Sequence, residues 1–431
     1  MAQTEADRSQ IESLADHLFR RESGRMVAAL TRIFGTHNLA LAEDVVQEAL
    51  LQALRHWPFS GIPKNPAGWL YQVARRKAID VVRREHVFLR SPPWSGHAPT
   101  VTAEALAGAL FVDEEIADDT LRMMFTCCHP ALPLESQVAL TLNLLCGFGS
   151  AEIARALLVG EAAIHKRLSR AKQRIRESPI AFEVPSGSDL AARVQAVLAV
   201  LYLMFNEGYS SSFTEHPIRK DVCVEAMRLC ALLTEHPAGN HPDVFALMAL
   251  MCFHAARLDA RVDESGNLLM LNTQDRSRWN GDLIRQGVRY LDHCTTATER
   301  SPYLLEAAIA AAHCLAERYE TTDWESIVRL YDQLMEIKPS PIVALNRAIA
   351  LAEVDGPQEA LRALEALPDR GPLETYHLYP AALGELHLRL GHAQEAERHF
   401  ARAIALTASP AEKRFLQRKV DDCRKDVSSL P

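Results

Sequence analysis

The sequence predicts an all-α protein built from several domains, and three observations lead to that prediction. The chain has 431 residues, enough for two to four domains, and 48% of them are hydrophobic. Along most of its length the apolar residues recur at spacings of three and four, which is the period of an amphipathic helix. Near the carboxyl end, helix-sized segments repeat with small residues at matched positions, as helical repeat arrays do.

The composition argues against several other classes of protein. No apolar run is long enough for a membrane span and the amino terminus is polar, so we expect neither a membrane segment nor a signal peptide. The nine cysteines are scattered, and the cluster Cys127, Cys128 and His129 has no second ligand pair at the spacing of a zinc finger. We therefore expect buried free thiols, no bound metal, no cofactor and a cytoplasmic location.

A helix is predicted over residues 42–57, and its two faces differ. The spacing of a buried face is met by Val46, Leu50, Ala53 and Trp57. The other face is polar except for one leucine, and its side chains are Asp44, Gln47, Glu48, Leu51 and Arg55. An isolated amphipathic helix turns such a face to water, so this pattern alone leaves open whether the face meets a partner.

The net charge of −8 argues against nucleic acid as a partner, but the charge is unevenly placed. Residues 51–100 hold eight basic and two acidic side chains, residues 101–150 hold one and seven, and residues 151–180 hold seven and three. Residues 181–431 hold 26 basic and 35 acidic side chains, a net −9. Two basic segments separated by an acidic one favour contact of separate pieces with a polyanion.

The first basic segment, residues 64–85, follows a Pro/Gly-rich loop over 56–64 and predicts a helix with Asn65 as its N-cap and Pro66 at its first position. Its apolar stripe consists of Leu70, Val73, Ala74, Ala78 and Val81. The cationic and aromatic side chains in and before it are Trp57, Phe59, Lys64, Trp69, Tyr71, Arg75, Arg76, Lys77, Arg83 and Arg84. Phosphates need positive charge and splayed bases need ring faces, so this mixture suits a single strand. A solvated basic face over core aromatics is the alternative.

The second basic segment, residues 132–177, has helix-turn-helix spacing. We predict a helix that ends at Leu145, a turn at Gly147 and Gly149, a short helix over 151–157 and a longer helix from Glu161. The inward stripe of the last helix consists of Ile164, Leu168, Ala171 and Ile175. Its basic side chains are His165, Lys166, Arg167, Arg170, Lys172, Arg174 and Arg176. They reach phosphates and base edges when such a helix lies in a major groove.

Taken in order, these motifs resemble those of an extracytoplasmic-function sigma factor of the sigma-70 family. The segments that carry the resemblance are AEDVVQEAL, GWLYQVARRKAIDVVRR, LPLESQVALTLNLL and SAEIARALLVGEAAIHKRLSRAKQRIRE. The resemblance implies a region 2 bundle over residues 10–90 and a region 4 helix-turn-helix over residues 118–178. An acidic linker over 91–117 joins them and reads by composition as a flexible tether.

The resemblance also implies a role for each surface. The polar face of the first helix would dock on core RNA polymerase through Asp44, Gln47, Glu48, Leu51 and Arg55. The next segment would capture a flipped base of the −10 promoter element through Trp57, Phe59, Lys64, Trp69, Arg75, Arg76, Arg83 and Arg84. The last helix would read the −35 element through His165, Lys166, Arg167, Arg170 and Arg174. Two positions depart from the family pattern, since Arg76 stands where asparagine is frequent and Leu158 where glycine is usual.

The carboxy-terminal half is helical in pattern and exceeds what a minimal factor of this type needs. We expect a helical extension domain over residues 185–300, with a short hairpin in 256–280, and a tetratricopeptide-like array over 301–425. The repeat positions of the array are filled by Leu383, Gly384, Gly391, Ala396, Phe400 and Ala403. Such an array either holds a protein partner on its concave side or serves as a rigid scaffold.

Two classes of function follow from these patterns. The first is a non-enzymatic sigma factor that binds core RNA polymerase and promoter DNA and is regulated by its own extension. The second is a helix-turn-helix or repeat adaptor without a role in initiation, or an enzyme in the middle domain. The carboxylates of residues 256–280 lack a nucleophile and base beside them, so we assign them structural roles and predict no catalytic residue. An ordinary DNA-binding regulator does not need the first two motifs, and the sigma factor is therefore favoured.

Overall fold

The computed structural model describes residues 18–20, 22–84, 113–157, 159–178, 180–209, 219–263, 267–294, 300–367 and 370–428. Within these ranges the regular structure is helical apart from one antiparallel bridge between Val262 and Leu268, and the all-α prediction is confirmed. The chain divides into two compact units. The first is Met1–Met204 with Glu235–Gly239, and the second is Phe205–Thr234 with Asn240–Pro431.

The first unit contains the two predicted basic segments. Its described helices up to residue 178 are α1 over residues 22–34, α2 (Leu39–Ser60), α3 (Pro66–Arg84), α4 (Asp113–Cys127), α5 (Leu134–Leu144), α6 (Ser150–Ala156) and α7 (Glu161–Glu177). Because α4 begins at Asp113, the last residues of the predicted linker, 113–117, are helical. Its remainder falls in residues 85–112, outside the described part of the chain.

The connection between α2 and α3 is shorter than the Pro/Gly-rich stretch 56–64 predicts. The helix α2 continues through Pro58 to Ser60. Proline lacks an N–H and costs one bond to the preceding turn. The helix is nevertheless closed, because Gly61 donates its N–H to the Trp57 carbonyl (3.0 Å) and Ser60 donates its hydroxyl to the His56 carbonyl (2.9 Å). Gly61 then ends the helix at φ 77°, a conformation that glycine adopts without strain.

The start of α3 follows the prediction and its far end departs from it by one residue. Pro66 is the first helical residue, and the Asn65 side chain accepts a hydrogen bond from the Gly68 N–H at 2.9 Å. Near the carboxyl end Val82 is buried and Val81 is only half-buried. Val82 lies four residues after the buried Ala78 and so continues the same stripe, which the sequence had assigned to Val81.

The helix-turn-helix prediction agrees closely with α5, α6 and α7. The turn after α5 contains Gly147 at φ 65°, and the Phe148 N–H donates to the Leu142 carbonyl at 3.0 Å. The last helix of the motif, α7, begins at Glu161 as predicted. Its four predicted inward side chains are all buried, and they are Ile164, Leu168, Ala171 and Ile175. Leu158, the departure from the family turn, lies outside the described residues.

The next helix, α8 (Ser188–Tyr209), contains the division between the two units, after Met204. Among the described helices, its span Asp189–Tyr209 is long and apolar enough to cross a membrane by length and composition alone. The core helix of a soluble protein passes the same test. A buried arginine, Arg193, lies within it and is hydrogen-bonded within the first unit.

Most of the predicted extension domain lies in the second unit, although its first residues, up to Met204, belong to the first. Its later described helices are α9 (Lys220–Glu235), α10 (Pro242–Ala255) and α11 (Gly281–Asp292). The expected short hairpin is present, since Asp263 donates its N–H to the Asn267 carbonyl and Leu269 donates to the Arg261 carbonyl, each at 2.9 Å. The carboxylate of Asp263 accepts two hydrogen bonds from Asn267, as expected for a structural role.

The remaining helices pack against their neighbours in sequence, as a repeat array does. They are α12 (Pro302–Leu315), α13 (Trp324–Ile337), α14 (Pro341–Val354), α15 (Pro357–Glu365), α16 (Gly371–Glu374), α17 (Leu378–Arg389), α18 (Ala393–Leu406) and α19 (Pro410–Ser428). Gly384 of α17 faces the ring of Phe400 of α18, and a Cβ at Gly384 would lie 2.8 Å from that ring. A small residue is therefore required at this repeat position, while the tetratricopeptide name itself stays a prediction.

Candidate nucleic-acid and partner-binding surfaces

The polar face of α2 is open to solvent over its whole length. All five predicted docking side chains are exposed, and they are Asp44, Gln47, Glu48, Leu51 and Arg55. Leu51 is 49% exposed and Leu54, which the sequence analysis missed, is 48% exposed. Leu54 lies three residues after Leu51, and that spacing is the signal that places both on one side of the helix. The face therefore offers two apolar side chains among charges.

Only part of the predicted −10 aromatic group is accessible. Trp57 is 2% exposed, and its ring centroid lies 5.6 Å from those of Phe19 and Trp69. Phe59 is 92% exposed and Lys64 is also exposed. Trp57 therefore supports Trp69 from beneath, while Phe59 presents the ring face that an unstacked base can reach.

Some basic side chains of α3 are exposed to solvent, and one forms an ion pair with α2. Arg76 and Arg83 are exposed, and Arg75 is half-buried. Lys77 forms an ion pair with Glu48 of the α2 docking face. The side chain of Arg84 lies outside the described residues. The exposed cations of α3 thus lie on the helix that directly follows Phe59 and Lys64 in the sequence.

The helix α7 has a buried inward side and an exposed outward side. His165, Lys166, Arg170 and Arg174 are exposed, as base and phosphate contacts require. Arg167 is half-buried, and its Nη2 lies 3.1 Å from the Glu135 carboxylate of α5. Four of the five predicted −35 side chains are therefore presented to solvent and the fifth is held by its own domain.

The structure brings α2 and α7 into contact, which the sequence did not indicate. Lys172 of α7 lies 2.6 Å from Glu43, the residue before Asp44 on α2. Arg32 of α1 lies 3.0 Å from the buried carboxylate of Asp119 on α4. These contacts join residues far apart in sequence, and no local pattern reports them.

The charge buried at the contact between α1 and α4 is only partly compensated. Burial raises the pKa of the Asp119 carboxyl, and the nearby guanidinium groups of Arg32 and Arg122 oppose that rise. The neighbouring thiols are also out of water, and burial raises the pKa of Cys128 to about 12. All nine cysteines are free and buried, as the sequence predicted.

Three parts of the chain match known families. Residues 18–87 match the family described as Sigma-70 region 2, and residues 122–175 match Sigma-70, region 4. Residues 193–295 match a family of unknown function, DUF6596. The matched sigma segments contain α1 to α3 and most of α4 to α7, where the candidate surfaces lie.

Whole-chain comparison finds relatives of two kinds. An uncharacterized protein of Rhizobium meliloti is 40% identical over 401 residues, which is 92% of each chain. The probable RNA polymerase sigma factor RfaY of Xanthomonas campestris is 34% identical over 33% of this chain and 34% of its own length. The ECF RNA polymerase sigma factor SigL of Mycobacterium tuberculosis is 32% identical over 33% of this chain and 76% of its own length. No solved structure matches the chain.

Proposed function

The chain belongs to the extracytoplasmic-function sigma factors of the sigma-70 family, and from that membership we propose that it docks on core RNA polymerase through α2 and is regulated by its own carboxy-terminal extension. The family acts in transcription initiation, is not enzymatic and works in the cytoplasm. The observation that carries the proposed docking is the exposed α2 face, because charged side chains surround two apolar ones there. Exposed apolar side chains gain free energy when a partner covers them.

The −10 contact is assigned to the end of α2 and the start of α3. Phe59 and Trp69 provide aromatic surface, and Lys64, Arg75, Arg76 and Arg83 provide charge for the backbone. A flipped base leaves its stack at a cost of a few kcal/mol, and stacking on a protein ring with phosphate contacts offsets that cost. Trp57 acts from the core as support for Trp69.

The −35 contact is assigned to the exposed side of α7. Arg170 and Arg174 lie one turn apart there, with Lys166 one turn before Arg170. Arginine donates in a fork that matches the acceptors of guanine in the major groove, whereas lysine serves phosphate as a point charge. His165 contributes at the amino-terminal end of the same face. Arg167 contacts DNA only if it leaves Glu135.

Regulation by the extension is supported by charge and by its helical build. Residues 181–431 carry a net −9, whereas residues 151–180 carry a net +4. An acidic body competes for basic side chains within roughly a Debye length, about 8–10 Å at physiological salt. A protein partner on the repeat array would shift that competition only if its affinity differs between the two arrangements.

The test of polymerase docking reverses two charges on the α2 face. Asp44→Lys with Glu48→Lys should abolish association with purified core polymerase, since both residues are exposed and the face is the proposed contact. Lysine has good helix propensity, so the fold should persist, although Glu48→Lys sets a second cation beside Lys77 and a thermal melt must confirm folding.

The matched control makes the same charge change in the second unit. Glu365→Lys with Asp421→Lys alters two exposed residues of α15 and α19. Retained binding in the control and loss in the first variant support docking through α2. A folded Asp44 and Glu48 variant that still binds polymerase with wild-type affinity would exclude this face, and an adaptor without a role in initiation would become the better description.

A further inference from the structure

The extension helix α8 contacts the reading domain through a buried arginine. Arg193 is 9% exposed, and its Nη2 donates a hydrogen bond to the Phe125 carbonyl of α4. Its guanidinium carbon lies 5.8 Å from the centroid of the Phe125 ring, within cation–π range. By sequence match this residue belongs to the family of unknown function, while by contact it belongs to the first unit.

The Phe125 carbonyl is a group that needs a partner. It lies in the last turn of α4, where the final four carbonyls of a helix have no donor within the helix. Those carbonyls also carry the negative end of the helix dipole. A buried guanidinium there therefore satisfies an otherwise unpaired acceptor and places positive charge where the helix favours it. Burial lowers the pKa of Arg193, and the charges of Asp189 and Glu183 oppose that fall.

A second contact lies further along the same helix. The Sγ of Cys146, two residues after the end of α5, lies 3.5 Å from the Sδ of Met204. Arg193 and Met204 are separated by eleven residues, or roughly 16 Å of helix at 1.5 Å per residue. α8 thus contacts the reading domain at the end of α4 and again beyond the end of α5.

The two contact points lie before and after α5, and α5 is the helix that supports α7. Between α4 and α5 the chain is tied by Gln137, whose Nε2 donates to the Leu132 carbonyl at 2.8 Å and the His129 carbonyl at 3.2 Å. α5 then packs directly on α7. A shift of the α4 end is therefore passed through α5 to the helix that presents Arg170 and Arg174.

We propose that α8 is a bracing helix of the DNA-reading domain and that Arg193 is its positioning residue, so that the extension is mechanically joined to −35 recognition. The effect on −35 recognition rests on the proposed function of α7. The structural role of α8 does not depend on that function. It identifies a surface of region 4, formed by the end of α4 and the end of α5, as the place where this extension acts.

The first test measures amide hydrogen exchange in the full-length chain without DNA. Arg193→Met removes the charge and the donors while keeping most of the length. We expect exchange in 134–144 and 164–175 to rise roughly tenfold or more, the factor expected for losing a hydrogen bond from a charged donor. Exchange in α2 and α3 should be unchanged. Arg193→Lys retains the positive charge and an ammonium donor group and should restore most of the protection.

The control and the contrary outcomes are defined by the structure. Arg285→Met removes an exposed arginine of α11 and should leave exchange in α5 and α7 unchanged. Unchanged exchange in Arg193→Met, or an equal rise throughout the chain, would overturn the bracing role. If Arg193→Met does not fold, Arg193→Gln keeps a neutral donor and is judged by the same criteria.

The second test separates positioning from mere stability. Selection of a randomised DNA duplex library by the full-length protein should yield a sharper motif for wild type than for Arg193→Met, with non-specific affinity and its salt dependence unchanged. Arg193→Lys should recover the motif. An unaltered motif in Arg193→Met would overturn the positioning role. If wild type selects no motif, the proposed −35 function fails, whereas the exchange measurement still decides the contact.

Discussion

Arg167 and Arg170 lie one turn apart on α7, and they differ in what their guanidinium groups contact. Arg170 is exposed, whereas Arg167 is paired with Glu135. We expect Arg170→Ala to lower discrimination between the selected −35 duplex and mismatched duplexes by about 1–3 kcal/mol, the range for one base-edge contact. Competition binding measures that difference.

Arg83→Ala on α3 gives the contrasting result. Arg83 is exposed on the helix assigned to the strand backbone. Its loss should weaken binding to all sequences alike and reduce the slope of log affinity against log salt by about 1. A uniform loss in Arg170→Ala as well would show that Arg170 contacts phosphate and reads no base.

Two half-buried histidines, His254 and His313, make the second unit sensitive to acid. Burial lowers the pKa of His254 to about 3 and that of His313 to about 4, and neighbouring arginines add to both shifts. Both values lie below that of a free histidine, so the unfolded chain binds more protons from about pH 6.5 down to about pH 4. Stability is therefore fully present above about pH 6.5 and is lost as the pH falls toward the folded pKa values.

His254→Phe should remove much of this pH dependence. The His254 ring packs 4.9 Å from the ring of Tyr209, so phenylalanine fills the same site without a titrating group. We expect the loss of unfolding free energy between pH 7 and pH 4.5 to shrink by roughly 2–3 kcal/mol. Urea unfolding at the two pH values measures it, and an unchanged loss would show that other groups control the acid response.

At the scale of elements, α1 and the end of α5 approach closely at a glycine. A Cβ built on Gly24 would lie 2.2 Å from the Leu145 carbonyl oxygen, a backbone atom that cannot rotate away. Gly24→Ala should therefore destabilise the first unit by about 1–3 kcal/mol, as overpacking does, and lower its melting temperature. Gly281→Ala, where the nearest atom is the flexible end of Arg285, is the control. Equal melting temperatures for both variants would contradict the close approach.

The elements also show what sequence periodicity can and cannot predict. The stripe Ile164, Leu168, Ala171 and Ile175 is buried as predicted because a helix has a fixed period. The end of α2 was misplaced because Pro58 and Gly61 were read as loop residues, although proline is tolerated where later hydrogen bonds close the turn. The contact of Arg193 with Phe125 was not predicted, since a period identifies a buried face and not the element that covers it.

At the scale of the whole molecule, uneven charge was the most useful composition signal. A net charge of −8 hides two basic segments, and the structure places their exposed cations on α3 and α7. Lys77, Arg167 and Lys172 are exceptions, because each forms an ion pair with a carboxylate of α2 or α5. Charge counts along a sequence therefore overestimate the cations available to DNA, and only the folded contacts show which remain available.

Under the proposed function, the contact between α2 and α7 predicts a large rearrangement on DNA. Lys172 of the reading helix lies 2.6 Å from Glu43 of region 2. Elements named −10 and −35 lie about 25 base pairs apart, roughly 85 Å along B-form DNA at 3.4 Å per pair. Regions in contact cannot reach both elements at once, so we expect them to separate when polymerase and promoter are bound.

Energy transfer between two dyes can follow that separation. All nine native cysteines are buried, so Asp80→Cys on α3 and Ala162→Cys on α7 add two exposed thiols for labelling. Transfer should be high in the free protein and fall strongly in the complex with polymerase and promoter. Lys172→Glu should lower transfer in the free protein, because it sets two carboxylates together, and adding Glu43→Lys should restore it. High transfer that persists in a transcribing complex would show that the two regions read DNA without separating.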